Sequence, residues 1–461
     1  MYSNSGSFVF GRVVVYATLV AAAVLENPPP GIIYTRPEPL SNVKGSTRSR
    51  AWSKSSWIRP TGNIQKIQGV GGSKTNSRSV AALLGAHQRQ AGGFGYENIT
   101  STNSYGTQYA TRVLWDGFPM DLIIDTGSAD TWAIQKDFFC VDYAGGVVPQ
   151  SACAFGPANP DPTSSYGPVT PEQHMFVQYA DGELVVGPMG YTDITVGNVT
   201  VNMQQTCLAN TTYWYGNNVT SGLMGLAYPS LTNAYLGPST ESVHDDPDNY
   251  QPYSPLMTSM IDQGKIGAPV FSMAIDRNAS TGMLAWGGMP PVTGLDMSQT
   301  ATLDIIITRL ADRTATASRY SFYTVIPDGW QFGHTTNTER YPYIVDSGTT
   351  LCYLPPDLAD AVAASYYPKA VYLFEYGAYF TNCNAIVPIV LAVILDGIRF
   401  LINPLDLIYR DMIDPVTGLC MIAISSGGSG PYILGDVFLQ NALAIFDHGE
   451  AKMRFIPRTV S

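Results

Sequence analysis

Two aspartates in matching short motifs are the residues best suited to do chemistry. Asp125 opens the run Asp-Thr-Gly-Ser, and Asp346 opens Asp-Ser-Gly-Thr-Thr 221 residues later. Two carboxyl groups that face each other cannot both ionise cheaply, so one keeps a proton and the pair can act as acid and base together. One carboxylate could then deprotonate a water molecule and drive it onto a carbonyl that the other group polarises. The motifs therefore predict hydrolysis by activated water, with no metal, cofactor or covalent intermediate.

Each aspartate is followed by small or hydroxyl-bearing residues that suit a tight loop. The glycine two residues later has no Cβ, so it allows two backbones to approach closely. The hydroxyl next to each aspartate can tie the two loops together, and the hydroxyl three residues later can bond the outer carboxylate oxygen. These residues are Thr126, Gly127 and Ser128 in the first motif and Ser347, Gly348 and Thr349 in the second.

The two motifs lie in similar surroundings. The apolar runs Met120–Ile124 and Tyr343–Val345 each lead directly into an aspartate, and each half has a later apolar run that meets a glycine, Leu223–Leu226 and Tyr432–Gly435. A single Asp-Thr-Gly is an ordinary turn sequence, because turns favour Asp and Gly. Two copies in matching surroundings instead indicate two related halves, each of which delivers one carboxylate to a central cleft.

The rest of the chain is typical of a mainly β protein, because 44 glycines and 32 prolines interrupt short runs of strand-forming residues. One helix is predicted with Ser254 as its N-cap, Pro255 as its first residue and Gly264 at its end. A second is predicted over Leu358–Tyr367, and Ile386–Leu395 is predicted as a buried strand. The predicted fold class is all-β, mostly strands with short helices, in a bilobed arrangement.

Charge is distributed unevenly along the chain. Residues 1–96 contain eleven Lys and Arg against two Asp and Glu, whereas the remaining residues contain 14 against 34. The formal net charge of −11 and the pI near 4.8 argue against nucleic acid or an anionic membrane as a partner. The basic head is either a disordered tail or a removable segment that docks electrostatically on the acidic body.

The N-terminus has the features of a secretory signal. Arg12 precedes the apolar run Val13–Leu25, which ends among small residues and is too short to span a membrane comfortably. No stable membrane anchor is expected, and Ser79–Leu84 is the one hint of a helix before Glu97. The predicted organisation is a signal peptide at 1–25, a basic pro-segment at 26–97, an N-terminal lobe with Asp125 at 98–288 and a C-terminal lobe with Asp346 at 289–461.

Five Asn-x-Ser/Thr sequons also favour passage through the secretory route. We therefore expect a glycosylated secreted protein, with a vacuolar location as the alternative. The sequon asparagines are Asn98, Asn198, Asn210, Asn218 and Asn278.

Other catalytic chemistries find little support. The five histidines are scattered, we interpret each as a surface or loop residue, and none belongs to a zinc-binding His-Glu-x-x-His motif. No Gly-x-Ser-x-Gly nucleophile elbow is present. A glycosidase with paired carboxylates is a third possibility, which the matched Asp-hydroxyl-Gly loops disfavour.

From Tyr105 to Pro457 the sequence resembles the pepsin-like aspartic endopeptidases, particularly secreted fungal-type members. Trp132 stands seven residues after the first aspartate, as in that family, and Tyr179–Gly182 is similar to the tip of the β-hairpin flap. The resemblance implies the pepsin-like double-β-barrel fold. The remaining matching motifs are Gly222–Pro229, Phe271–Met273, Gly287–Gly288 and Ile433–Phe438.

The resemblance implies a role for each matching residue. Asp125 and Asp346 would be the catalytic pair. Tyr179 would be the flap tyrosine, hydrogen-bonded to the Trp132 indole, although both aromatics could instead simply fill space. The other substrate-binding residues that it implies are Asp181, Gly182 and Thr350.

Six cysteines leave many pairings open. The resemblance implies two disulfide bonds, Cys140–Cys153 and Cys383–Cys420. Cys207 and Cys352 lie in apolar strand contexts and are predicted to be buried thiols.

The predicted function is an aspartic endopeptidase that hydrolyses peptide bonds of polypeptide substrates at acid pH. We expect a monomer that binds no nucleic acid. The alternative is a non-catalytic polypeptide-binding protein on the same fold. Loss of a motif aspartate or glycine would favour that alternative, and neither is lost.

Overall fold

A computed structural model describes residues 61–71, 107–159, 167–179, 182–239, 248–276, 282–308, 319–374, 376–428 and 430–458. The signal and the helix predicted at Ser79–Leu84 lie outside these residues. Strands dominate the described part, and helices are short, so the prediction of an all-β fold is confirmed.

The strands of the first half are short to medium in length. They are β1 (Ile64–Gly71), β2 (Thr107–Trp115), β3 (Phe118–Asp125), β4 (Thr131–Val141), β5 (Val147–Val148), β6 (Gln173–Gln178), β7 (Leu184–Val196), β8 (Val199–Tyr213), β9 (Gly222–Gly225), β10 (Ala234–Leu236), β11 (Val270–Ile275) and β12 (Gly282–Trp286).

The second half contains sixteen further described strands. They are β13 (Ala301–Asp304), β14 (Thr324–Val325), β15 (Gly329–Phe332), β16 (Thr335–Asn337), β17 (Tyr343–Val345), β18 (Cys352–Leu354), β19 (Val371–Leu373), β20 (Ala378–Thr381), β21 (Leu391–Leu395), β22 (Ile398–Leu401), β23 (Ile408–Ile413), β24 (Cys420–Ile422), β25 (Ile424–Ser426), β26 (Tyr432–Leu434), β27 (Ala442–Asp447) and β28 (Lys452–Pro457). The α-helices of the described residues are α1 (Leu256–Asp262), α2 (Pro356–Ala363) and α3 (Asp436–Leu439).

The two halves repeat one arrangement of strands around their aspartates. In the first half, β3 runs parallel to β9, β9 antiparallel to β4, and β4 parallel to β8. In the second half, β17 runs parallel to β26, β26 antiparallel to β18, and β18 parallel to β25. The apolar runs that meet a glycine are therefore the strands β9 and β26, which lie beside the strands that end at the aspartates.

One continuous sheet joins the lobes. Its order β3-β2-β1-β12-β11-β27-β28-β13 brings strands from both halves of the sequence side by side. The largest apolar cluster likewise contains residues of both halves, such as Met120, Phe271 and Phe446. This shared core fixes the lobes to one another and so fixes the distance between the two motifs.

The strand β1 was not anticipated, because the segment before Glu97 shows little periodicity. Ile67 pairs with Thr111 of β2 on one side and with Gly282 of β12 on the other. The predicted pro-segment therefore contributes a strand to the joining sheet. Backbone hydrogen bonds attach this strand to β2 and β12.

Three predicted elements have different limits in the structure. The helix predicted over Leu358–Tyr367 is α2, which begins at Pro356 and ends at Ala363. The helix α1 begins at Leu256, because Pro255 is extended with a ψ of 170° and stands at the N-cap. The predicted strand at Ile386–Leu395 begins only at Leu391. The first half of the predicted strand lies on the surface, where Ile386 and Ile389 are exposed by 67% and 81%. The prediction of a buried strand is therefore wrong for this half.

A buried histidine lies where the lobes meet. It occupies the turn after β27, so it is a loop residue as the sequence predicted, but it is not on the surface. His448 follows β27 and is 1% exposed. Its ring lies 4.5 Å from that of Tyr228, and its Nε2 lies 2.7 Å from the Tyr323 hydroxyl. That hydroxyl donates to the Leu226 carbonyl at 2.5 Å, so its oxygen accepts from His448 and Nε2 carries the hydrogen. His174 is also buried and lies within the strand β6, so the interpretation as a surface or loop residue is wrong for it.

Candidate active site

The two aspartates are held by their own loops in the same way. Asp125 Oδ1 accepts a hydrogen bond from the amide of the glycine two residues later at 2.7 Å, and Oδ2 accepts from the Ser128 hydroxyl. Asp346 Oδ1 accepts from the equivalent glycine amide at 2.8 Å, and Oδ2 accepts from the Thr349 hydroxyl at 2.6 Å. Each carboxyl group therefore has a fixed orientation. The hydroxyl donors are those that the sequence predicted, whereas the glycine amides are donors that it did not single out.

Hydroxyl groups tie the two loops to each other across the lobes. The Thr126 amide donates to Ser347 Oγ at 3.2 Å, and the Ser347 amide donates to Thr126 Oγ1 at 3.0 Å. The Thr126 hydroxyl donates to the Val345 carbonyl and the Ser347 hydroxyl to the Ile124 carbonyl, both at 2.9 Å. This reciprocal set brings residues 221 positions apart into register and holds the two carboxyl groups face to face.

The first of the facing carboxyl groups is buried, and the second, Asp346, is half-buried. Asp125 is only 6% exposed, and burial raises the pKa of its carboxyl well above the ordinary value. The nearby charge of Asp346 raises this pKa further, while hydrogen bonds from Ser128 and Gly127 lower it in part. A proton is therefore retained on the pair at pH values where an isolated aspartate would have lost it.

A third carboxyl group lies behind the pair. Asp436, the first residue of α3, is 1% exposed, and its amide donates to the Thr349 carbonyl at 2.8 Å. Burial raises the pKa of Asp436 well above its usual value, and the charges of Asp346 and Asp125 add to this effect. The carboxyl group of Asp436 therefore keeps its proton to a higher pH than an isolated aspartate does.

Residues 179–183, which we call the flap, join β6 to β7. The Tyr179 amide donates to the Glu183 carbonyl at 2.8 Å, and the Gly182 amide donates to the Tyr179 carbonyl at 2.9 Å. Gly182 has a φ of +81°, which favours glycine. Asp181 lies outside the described residues.

The flap tyrosine is anchored to the first lobe through its hydroxyl. The Trp132 indole donates to the Tyr179 hydroxyl at 2.8 Å. Trp214 packs edge-on against both, with ring centroids 5.1 Å from Trp132 and 5.7 Å from Tyr179. The aromatics therefore fill the space beneath the flap and also supply a directed hydrogen bond, so the two interpretations of this pair are compatible.

The structure also shows the surroundings of Thr350 and Lys66. Thr350 is 2% exposed, and its carbonyl accepts from the Val437 amide at 3.1 Å. Lys66, in the predicted pro-segment, has an exposed side chain on β1, while its carbonyl accepts from the Thr111 hydroxyl. The Lys66 ammonium group therefore does not lie against the two aspartates.

The cysteines pair as the resemblance implied. Cys140 and Cys153 form one disulfide bond, and Cys383 and Cys420 form the other. Cys207 and Cys352 are buried free thiols. Burial raises the pKa of both, that of Cys352 to about 12, so neither is a reactive thiolate.

Two buried carboxylates support this site and were not singled out from the sequence. Asp130 accepts from the Asn233 amide at 2.9 Å and from the Tyr253 hydroxyl at 2.8 Å, which joins the end of the first motif to a distant loop. Glu183 at the base of the flap accepts from the Tyr215 amide at 2.7 Å. Asp130 follows closely after Asp125 in the sequence, and Glu183 follows closely after Tyr179. This proximity was the signal in the sequence that could have identified them.

The described part of the chain contains no cluster of three His, Cys, Asp or Glu side chains able to hold a metal ion. None of its helices is long and apolar enough to cross a membrane.

The chain is similar to known proteins over most of its length. The family model described as eukaryotic aspartyl protease matches residues 117–457. A protein of Aspergillus fumigatus named probable aspartic-type endopeptidase is 38% identical, over 83% of this chain and 84% of its own length. Gastricsin of Rattus norvegicus is 26% identical, over 72% of this chain and 76% of its own length.

A solved structure shows the same fold. The aspartic proteinase from Irpex lacteus superposes with a TM-score of 0.56 at 18% identity. The match covers 76% of this chain and 94% of that one. It supports the bilobed pepsin-like architecture.

Proposed function

The chain belongs to the eukaryotic aspartyl protease family and is an aspartic endopeptidase, and on that premise we propose that Asp125 and Asp346 are its catalytic pair. The observation that carries the proposal is the reciprocal tie between Thr126 and Ser347, which makes the two carboxyl groups face each other. Nothing in the described site favours the alternative of a non-catalytic binding protein.

The proposed chemistry follows from the buried pair. One carboxyl group carries a proton and the other is ionised, so the ionised group can take a proton from a water molecule held between them. The protonated group can donate to the carbonyl oxygen of the peptide bond. The loop amides and hydroxyls keep both groups in place, which lowers the cost of reorganisation in the reaction.

Hydrolysis of an unfolded protein at acid pH tests this function directly. We expect cleavage of acid-denatured haemoglobin at pH 3–5 that pepstatin abolishes and that EDTA and serine- or cysteine-directed reagents leave unchanged. Cleavage that survives pepstatin would contradict the proposal.

We propose that the flap closes over bound polypeptide, with Tyr179, Asp181 and Gly182 contacting its backbone and Thr350 contributing on the non-primed side. The Trp132 hydrogen bond supports this role, because it fixes the tyrosine ring at the edge of the cleft.

The flap assignment predicts the effect of shortening Tyr179. In Tyr179→Ala we expect kcat/KM to fall by about one to two orders of magnitude, because the flap no longer excludes water from the pair. Kinetics and thermal unfolding should be measured together, with Tyr367→Ala, which removes a 76% exposed ring, as the control. A large loss of stability with unchanged kcat/KM would leave only the space-filling role.

We also propose that residues 26–97 act as an inhibitory pro-segment released by acid. The basic head and acidic body support this, because protonation of carboxylates near pH 4 removes the attraction while Lys and Arg keep their charge. The strand β1 adds backbone pairing that acid does not weaken. Release should therefore need proteolysis as well as a lower pH.

Activation should accordingly show a lag. After a shift from pH 7 to pH 4, we expect activity to rise together with loss of N-terminal mass. An Asp125→Asn chain should keep its full mass under the same conditions, because cleavage by the enzyme itself is removed. Full activity from the first moment, with the head intact, would rule out the pro-segment role.

We propose a secreted, monomeric glycoprotein, with a vacuolar location as the alternative. Asn198 and Asn218 are exposed, so they are the favoured carriers among the described sequons. Asn210 is half-buried and its amide donates to Ser239 Oγ at 3.3 Å, which makes it a poorer site.

An acid-acting enzyme with a buried histidine should lose stability as the pH falls. Burial lowers the pKa of His448 from 6.5 to about 3. Between these values the unfolded chain binds a proton that the folded chain does not, so unfolding becomes easier with decreasing pH. In the Asp125→Asn background, we expect His448→Gln to flatten the decline in stability between pH 7 and 4 by a few kcal/mol.

Urea unfolding at several pH values measures this slope. The matched control is His334→Gln, since His334 has an exposed side chain. The prediction is wrong if both variants follow the slope of the parent.

A further inference from the structure

Three consecutive aromatic residues, Tyr213, Trp214 and Tyr215, follow one another at the end of β8. Trp214 is 5% exposed and packs beneath the flap, as described above. Tyr213 and Tyr215 contact each other instead, with ring centroids 5.2 Å apart and their hydroxyls in hydrogen-bond contact. The ring of Tyr143 lies 6.0 Å from that of Tyr213 and supports the pair from the outside.

The position of Tyr215 is coupled to the flap. Its amide donates to Glu183 Oε1 at 2.7 Å, and Glu183 is itself only 4% exposed. The carbonyl of the same glutamate accepts from the Tyr179 amide. The buried glutamate therefore connects the backbone of Tyr215 to the base of the flap.

The side chain of Tyr215 reaches the other lobe. It packs against an apolar cluster made only of second-lobe residues, among them Leu351, Tyr376 and Ile433. Leu351 directly follows Thr350, and Ile433 of β26 pairs with Ile344 of β17, the strand that ends at Asp346. The contact is thus made against the second lobe close to its catalytic loop.

The second-lobe side of this contact is well fixed. The Tyr376 hydroxyl donates to Asp414 Oδ1 at 2.7 Å, and Asp414 also accepts from the amides of Val416 and Thr417. The strand β20 pairs with β24, and the disulfide bond Cys383–Cys420 closes the adjoining loop. Tyr215 therefore packs against a part of the second lobe that hydrogen bonds, strand pairing and a disulfide bond hold in place.

We propose that Tyr215 is a specificity-determining residue that, with Tyr213, bridges the lobes and closes one end of the substrate cleft. This inference rests on the proposed function. A polypeptide bound across the two aspartates then meets the Tyr215 ring at one end. Substrate residues added beyond that point should consequently contribute no further affinity at this end.

A series of peptides with one fixed scissile bond tests the proposal. The peptides are lengthened one residue at a time, with Leu or Ala, at either the N-terminal or the C-terminal end. For the wild-type enzyme we expect kcat/KM to stop rising early on one side. In Tyr215→Ala it should continue to rise on that side, by about tenfold in total, as one further apolar residue is bound.

Three comparisons separate this role from a structural one. Tyr215→Phe keeps the ring and should retain the wild-type length profile. Phe139→Ala removes a 58% exposed aromatic ring elsewhere on the first lobe and should also leave the profile unchanged. If Tyr215→Ala does not fold, Tyr215→Leu provides the shorter side chain.

The outcomes are distinct from those of the proposed function. If the wild-type enzyme fails to cleave even the parent peptide in a pepstatin-sensitive manner, the proposed function fails. If it cleaves, but the length profiles of wild type and Tyr215→Ala superimpose, the bridge does not set specificity. A uniform loss of kcat/KM at all lengths, accompanied by lower thermal stability, would likewise overturn the inference.

Discussion

Replacing either motif aspartate with asparagine, as Asp125→Asn or Asp346→Asn, is expected to lower kcat/KM by about a thousandfold or more. The amide has the shape of the carboxyl group, but it cannot take up or share a proton. A proton shared between two carboxyl groups is the established behaviour of aspartic protease pairs. Either change should therefore remove the acid–base partnership and leave the fold in place.

The stability of the same variants provides an internal check. The pKa of Asp125 is raised in the folded protein, so the stability linked to this group is complete at low pH and is lost as the pH rises. Asp125→Asn should consequently be at least as stable as the wild type at pH 7, since position 125 then carries no buried carboxyl group that must ionise.

The control for this pair of variants is Asp304→Asn. Asp304 makes an exposed ion pair with Lys452 at 2.6 Å, and such pairs contribute little to stability. It should behave as the wild type in both kinetics and thermal unfolding. Substantial activity in either motif variant, after purification away from other proteases, would contradict the assignment of the catalytic pair.

The second large effect is expected from adding a single methyl group to either loop glycine. A Cβ on Gly127 would lie 2.6 Å from Cγ and Oδ1 of Asp346, and a Cβ on Gly348 would lie 2.6 Å from Oδ1 of Asp125. The carboxyl groups cannot move aside without losing the hydrogen bonds that orient them. We expect Gly127→Ala and Gly348→Ala to lower kcat/KM by about a hundredfold or more, as small displacements at a reacting centre do.

Gly267→Ala is the matched control for these two variants. A Cβ at Gly267 would have no neighbouring atom within 4 Å, so the same chemical change should be tolerated there. Kinetics with one peptide and thermal unfolding of all three variants make the comparison. Wild-type kcat/KM in either loop variant would show that the two carboxyl groups do not approach as closely as described.

The sequence by itself determined the parts of this protein that depend on short-range geometry. The hydrogen bonds from Ser128 to Asp125 and from Thr349 to Asp346 join residues three positions apart, so the order of residue types already specifies them. The repeated run of apolar strand, aspartate, hydroxyl and glycine likewise indicated two related halves. The matched family confirms the endopeptidase function that these motifs predicted.

Only the tertiary structure decided the features that depend on which distant elements meet. The segment of β1 lacks periodicity, yet backbone pairing with β2 and β12 makes it a strand, because hydrogen bonds to neighbours can override weak local preference. His448 stands in the polar run Asp-His-Gly-Glu, which is typical of a turn. It is buried because Tyr228 and Tyr323, which come from other parts of the chain, pack around it.

The same reason explains the bridge at Tyr215. Three aromatic residues in succession predict burial, but they do not say which ring stays within its own lobe and which reaches the other. That choice depends on the separation of the lobes, which the joining sheet and its shared core fix. Local sequence thus determined the proposed catalytic groups and their immediate donors, whereas the packing of the two lobes decided how those groups face each other and which residues of the two lobes meet around them.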